Sequence, residues 1–239
     1  AKPILITWPK SDKKLTPSIV KLPDKVDLIE GIFWPLSTSA VLWIDEISKL
    51  VPIQDQILTI IGQGLVGSLI MQVALARKPK KIIAVDTLDF RCKLATKLGA
   101  KFVINSSKNS LNDHLDKITE SKKSNVVIEA VGGPGGKIAF EQSLEIVSQG
   151  GIIQVIGLYE NEPLQFDSGQ IQGKKIIGGF STNANRIWAS DQALKLISQK
   201  SIQPKKMITH HFHYSEATTA FEMLYGNISN LMGVVFDWN

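Results

Sequence analysis

Cysteine is nearly absent: the 239 residues contain one, Cys92. A single thiol excludes an internal disulfide and any zinc cluster built from several cysteines of one chain. It also fits a reducing compartment. Long hydrophobic runs are missing as well. No apolar stretch approaches the ~20 residues that a membrane-spanning helix requires, so no membrane partner is expected. The segment Ala1-Lys2-Pro3-Ile4-Leu5-Ile6 lacks the apolar core and cleavage site of a secretory signal. Together these absences read as a soluble, cytoplasmic protein.

Charge is not concentrated either. The formal net charge is +5, but the lysines fall in scattered pairs at 13–14, 80–81, 122–123, 174–175 and 205–206. No aromatic residues interleave with them, so a solvated surface is expected rather than a nucleic-acid face. The small positive excess mildly favours an anionic ligand. With 44% hydrophobic and 21% charged residues, the composition is that of an ordinary globular domain.

What is present is an alternation of apolar strand-like runs with periodic helix-like segments. Residues 57–61 form a β-rich run ending at Gly62, followed by Val66, Leu69, Ile70 and Val73 at helical spacing. Residues 82–85, 102–104, 126–128 and 152–156 read as further strands, and Ile176-Ile177 begins a sixth. Between them, Phe90 to Leu98 (closed by Gly99), Leu111 to Ile118, 137–147 and 188–199 read as helices. Strands that are apolar on both sides belong to a parallel sheet covered by helices on both faces. The expected fold is therefore α/β, a doubly wound Rossmann sheet. A helix is also expected over 37–48. Residues 1–35, rich in Pro and Lys, look too small to bury a core alone and should pack on the larger body or on another chain. The expected division is an extension at 1–35 and a dinucleotide-binding unit at 36–239.

Gly62-Gln63-Gly64-Leu65-Val66-Gly67 lies between the first strand and the first helix. Gly62 permits a tight exit from the strand, Gly64 lets backbone approach a pyrophosphate, and Gly67 allows close helix–strand packing. The helix N-terminus offers unpaired N–H groups and the positive end of its dipole. Asp86 ends the second strand, where a carboxylate accepts hydrogen bonds from ribose hydroxyls and repels a 2′-phosphate. The expected ligand is thus NAD(H) rather than NADP(H). Arg91, five residues on, is placed to flank the ribose edge.

These segments, with Pro35-Leu36-Ser37-Thr38, Leu98-Gly99-Ala100, residues 128–133, residues 150–157 and the tail from Ile208 to Glu222, resemble the medium-chain dehydrogenase/reductase family. Within it, the likeness is to zinc-type alcohol, sorbitol and threonine dehydrogenases. The resemblance implies that Thr38 and Val66 approach the nicotinamide side and that Val131 and Gly132 lie beside the cofactor. It also implies that Gly157 and Leu158 line the nicotinamide ribose and carboxamide. A homodimer is expected by analogy, with Ile176 to Phe180 as the pairing edge strand.

The sequence departs from the family in several places. The zinc ligands and most of the substrate pocket belong to an N-terminal domain of which residues 1–24 represent only a last extended piece. Trp34 occupies a position where the family places a zinc ligand. Of the histidines, His210 and His211 point to opposite faces of an extended strand, so only His211 and His213 share one, and no metal site is expected. Where relatives carry a basic residue reaching the pyrophosphate, this chain has Gly233; that loss would weaken binding roughly tenfold to hundredfold. No catalytic residue is assigned. Tyr159, after the fifth strand, is either a proton donor or a pocket wall. Three functions remain open: an NAD(H)-dependent dehydrogenase completed by missing residues or a partner chain, a non-catalytic NAD(H) sensor or assembly module, and a zinc-free reductase. Surface around Trp8, Phe33 and Trp34 is expected to be exposed and able to recruit such a partner.

Overall fold

A computed structural model describes residues 20–159, 163–180, 184–226 and 230–238. The chain enters through a short helix α1 (Leu28–Gly31) and a longer α2 (Trp34–Ser48). Then β1 (Ile57–Ile61), α3 (Leu65–Ala76), β2 (Lys81–Asp86), α4 (Asp89–Lys97), β3 (Phe102–Asn105) and α5 (Leu111–Thr119) follow in strict alternation. The second half runs β4 (Ser124–Glu129), α6 (Gly136–Ile146), β5 (Val147–Val155), β6 (Lys175–Gly178) and α7 (Arg186–Ser198). A C-terminal unit of β7 (Ile208–His213), α8 (Ala217–Gly226) and β8 (Gly233–Asp237) completes the chain.

Six parallel strands form one sheet in the order β3-β2-β1-β4-β5-β6. This is the doubly wound Rossmann arrangement, and the strand order reverses between β1 and β4. Side chains alternate across the sheet, which divides the core in two. Leu58, Ile60, Ile82, Ala84, Val126 and Ile128 pack toward α2, α3, α4 and α7. Ile57, Ile61, Ile83, Val85, Ile104 and Val127 pack toward α5 and α6. Among the described residues, no helix is long and apolar enough to cross a membrane.

Three sequence expectations need correction. Helix α2 starts at Trp34, not at 37, because Pro35 sits in its first turn, where the missing N–H has no intrahelical acceptor to lose. The sixth strand ends at Gly178 rather than at Phe180. Gly179 turns the chain with a left-handed φ of 47°, and Phe180 folds back against Trp43 with ring centroids 6.1 Å apart. The surface around Phe33 and Trp34 is not open. Phe33 is buried in the main core, and the Trp34 indole donates to Ser190 Oγ at 2.9 Å; Trp8 lies outside the described residues.

The segment leading into α2 is fastened to the body. Val26 joins the same core cluster as Phe33. Asp27 and Glu30 close a capping box at the start of α1. Glu30, itself buried, also holds Lys200 at 2.6 Å, and Asp27 pairs with Lys205.

Candidate functional site

The candidate residues gather at the C-terminal ends of β1, β2, β4 and β5, around the point where the strand order reverses. Open α/β sheets place ligands there because the loops of adjacent strands diverge to opposite faces.

At the tip of β1 the three glycines have different reasons to be glycine. Gly62 has φ +91°, and a β-carbon on it would meet Val131 Cγ2 at 2.7 Å and the Ala130 carbonyl oxygen at 2.9 Å. A β-carbon at Gly67 would lie 1.8 Å from the Gly62 carbonyl oxygen, so α3 can cross the strand this closely only without a side chain. Gly64 is otherwise. Its backbone is extended (φ −68°, ψ −170°), and the nearest atom to a β-carbon there would be Arg91 Nη1 at 3.9 Å. Gly64 is the N-cap of α3, with no side-chain cap and no acidic residue in the first turn. No side chain of the cap or the first turn therefore compensates its positive dipole end.

Gln63 turns inward: its amide donates to the Ile60 carbonyl at 3.0 Å, and its side chain is fully buried. Leu65 and Val66 are partly buried against the main core. Asp86, 5% exposed, closes the turn from the side of β2. Its Oδ2 accepts from the Gln63 backbone N–H at 2.7 Å and its Oδ1 from Leu88 N–H at 2.9 Å. Arg91 Nη1 stands 3.7 Å from Oδ2, while Arg91 Nε is buried without a hydrogen-bond partner. Thus the glycine turn, the strand-end carboxylate and the arginine form one connected cluster. The Cys92 thiol lies against the Asp86 and Ile104 backbone carbonyls, and burial pushes its pKa up.

On the other side of the reversal point, the loops after β4 and β5 are interlocked. Gly133 N–H donates to the Leu158 carbonyl at 2.8 Å. A β-carbon at Gly157 would lie 2.1 Å from the Val131 carbonyl oxygen, and one at Gly132 would touch the Leu158 backbone. Leu158 itself is 82% exposed, a large apolar side chain on the rim. Thr38 is buried in α2, and its hydroxyl donates to the Trp34 carbonyl at 2.9 Å, one turn back in its own helix.

The sequence reading assigned no role to Glu129. This carboxylate ends β4 fully buried, accepting from Val131 N–H at 2.6 Å and from the Tyr159 hydroxyl. Burial pushes the Glu129 carboxyl pKa up against the lowering effect of those two donors. Tyr159 is pushed up too, first by burial and then by the carboxylate it faces. A signal was available: Glu129 is a lone acid closing the otherwise apolar run Val126-Val127-Ile128.

The histidines of the C-terminal unit lie along β7. His210 Nδ1 meets Thr209 Oγ1 at 2.8 Å, His213 Nδ1 meets Ser215 Oγ at 2.6 Å, and His211 approaches Asp237 at 3.8 Å. Among the described residues, no group of three or more His, Cys, Asp or Glu side chains is placed to hold a metal ion.

Comparison with known proteins connects this geometry to a family. The zinc-binding dehydrogenase family pattern matches residues 66–199. An L-threonine 3-dehydrogenase of Marinomonas sp. (strain MWYL1) is 29% identical over 224 residues, covering 92% of this chain and 61% of that protein. An alcohol dehydrogenase from Thermus sp. ATN1 superposes with a TM-score of 0.73 at 26% identity, covering 86% of this chain and 58% of that one. An alcohol dehydrogenase from E. coli CFT073, complexed with NADH, superposes at 0.77; at 22% identity, with 92% and 62% coverage, it attests the fold alone. The chain spans about three fifths of the length of these relatives. By its sequence pattern and its strand order, the chain belongs to the zinc-binding dehydrogenase family.

Proposed function

We propose that this chain is the NAD(H)-holding part of an alcohol, polyol or threonine dehydrogenase of the zinc type. One observation carries the reading. Gly62 and Gly67 are glycine because the protein itself leaves no room, whereas nothing in the protein requires glycine at 64. A group pressing from outside does, and the uncapped N-terminus of α3 behind it favours an anion. In this reading Gly64 and the N–H groups of Leu65 and Val66 receive the pyrophosphate, and Gly62, whose N–H donates to the Val85 carbonyl, shapes the turn. Asp86 takes the adenosine ribose hydroxyls on its remaining lone pairs, with Arg91 beside it. Val131, Gly132, Gly157, Leu158 and Thr38 border the nicotinamide half. When bound, the nicotinamide ring supplies a carbon that accepts or releases hydride.

The described residues do not fit a catalytic zinc site, so no step is derived through zinc. The metal and substrate groups of such an enzyme would come from a partner chain or from sequence beyond these 239 residues. One observation favours a second reading, a non-catalytic NAD(H)-binding module: the Tyr159 hydroxyl is already committed to Glu129 rather than free to face a substrate. Turnover separates the two. The first reading expects oxidation of an alcohol, polyol or threonine once the missing part is supplied, and the second expects none.

The primary test is titration with NADH, NADPH and ADP, followed by tryptophan fluorescence. Saturable NADH binding is expected, with NADPH at least about tenfold weaker because the carboxylate repels a 2′-phosphate. Asp86→Asn keeps the side-chain shape but removes the charge. It should weaken NADH roughly tenfold to hundredfold and narrow the gap to NADPH. No binding by the wild type at millimolar NADH, or an unchanged affinity in D86N, would overturn the assignment.

A further inference from the structure

We infer that Glu129 and Tyr159 are a positioning pair: their hydrogen bond fixes the loop after β5 against the loop after β4 and so sets the shape of the nicotinamide end of the site. This rests on the dinucleotide reading above and adds residues to it.

Glu129 has two oxygens and two loops to serve. Oε1 accepts from Val131 N–H at 2.6 Å, in its own loop; Oε2 accepts from the phenol of Tyr159, thirty residues later. The phenol ring lies on Gly136, where a β-carbon would come within 1.9 Å of a ring carbon. A β-carbon at Gly157 would crowd Glu129 Oε2 at 2.7 Å, so the backbone of the second loop rests directly on the carboxylate. The backbone bond from Gly133 to Leu158 runs parallel to the side-chain link. A shift of the Tyr159 loop is therefore passed to Leu158 on the rim.

Among the described residues, no Lys, Arg or His forms an ion pair with Glu129. Without a cation, its acceptor capacity is met by groups that belong to the two loops. An apolar residue of equal volume would fill the space but could not orient either loop, because hydrogen bonds are directional and dispersion contacts are not.

The test uses Tyr159→Phe, Glu129→Leu and Glu129→Gln, each titrated with NADH and with ADP, which keeps adenosine and two phosphates but lacks the nicotinamide riboside. Y159F and E129L should weaken NADH about tenfold while ADP stays within about twofold of the wild type. E129Q should stay within about threefold for both, because a carboxamide accepts from Val131 N–H and donates to the phenol oxygen. Y159F is the decisive variant, since it removes one exchangeable oxygen and leaves the ring on Gly136. If it binds NADH like the wild type, or loses NADH and ADP equally, the pair does not position the nicotinamide end. A wild type that binds ADP and NADH beside an unaffected Y159F ends this inference alone. A wild type that binds neither ends the dinucleotide reading and the inference together.

Discussion

Asp86 and Glu129 are both carboxylates at the C-terminal tips of parallel strands, and the chain uses them in opposite ways. Asp86 accepts from two backbone N–H groups and has Arg91 beside it. Its bonds bind a strand tip to the glycine turn that precedes it by a single βα unit. Glu129 has no cation partner among the described residues, is more deeply buried, and bridges loops on either side of α6 and β5. Near Asp86 the protein leaves open space over Gly64; near Glu129, Gly136 and Gly157 are pressed against neighbours. Under the proposed function, the first end receives the dinucleotide phosphates and the second holds its own loops in register.

The sharpest way to break this comparison lies within the glycine turn. Alanine normally stabilises a helix over glycine by ~1 kcal/mol. Gly67→Ala should do the reverse, because the new β-carbon would lie 1.8 Å from a backbone carbonyl that cannot step aside. A loss of ~3 kcal/mol is expected, or roughly 6–12 °C in thermal midpoint. Gly64→Ala should cost no more than ~1 kcal/mol, the loss of a favoured N-cap residue, yet weaken NADH about tenfold. Thermal denaturation and NADH titration on both variants check the contrast. Equal destabilisation by the two would remove the ground for reading Gly64 as an external contact.

A smaller effect is expected at Gly233. Its β-carbon would meet the Met207 carbonyl oxygen at 2.8 Å and Ile208 Cα at 3.2 Å, where β7 and β8 converge. The basic residue that the family resemblance would place here meets a close backbone approach, so arginine cannot simply be introduced. Gly233→Arg should cost ~1–3 kcal/mol in denaturant unfolding without tightening NADH. A tenfold gain in affinity with undiminished stability would show that the strands part easily.

The Asp86 end was legible in the sequence because strand, turn, helix and the next strand tip follow one another within thirty residues. The apolar runs announced the parallel sheet for the same reason: burial on both faces leaves a local signature. The Glu129 end was not legible. Its partner is thirty residues away, and neither a tyrosine after a strand nor an acid at a strand end predicts the other. The exposure expected around Phe33 also failed, since the helix α7 that covers Trp34 is more than 150 residues distant. At Gly179 the error was local: Ile176-Ile177 reads as continuing strand, and only the left-handed φ reveals the stop.

The smallest expected effect tests the chemistry of the buried carboxylate rather than its geometry. Burial raises the Glu129 pKa above the 4.5 of an unperturbed glutamate, so the folded state holds its proton to higher pH than the unfolded chain. Between those two values folding takes up a proton, and stability falls as pH rises. The contribution is fully present below pH 4.5 and is lost as the pH climbs through the raised value of the folded state. Glu129→Gln removes the titrating proton while keeping both hydrogen bonds. Its stability, measured by denaturant unfolding from pH 4 upward, should lack the wild type's decline over that window. Parallel curves for the two proteins would mean that Glu129 titrates in the folded chain as it does in the unfolded one. In that case the phenol and the Val131 amide fully offset the cost of burial.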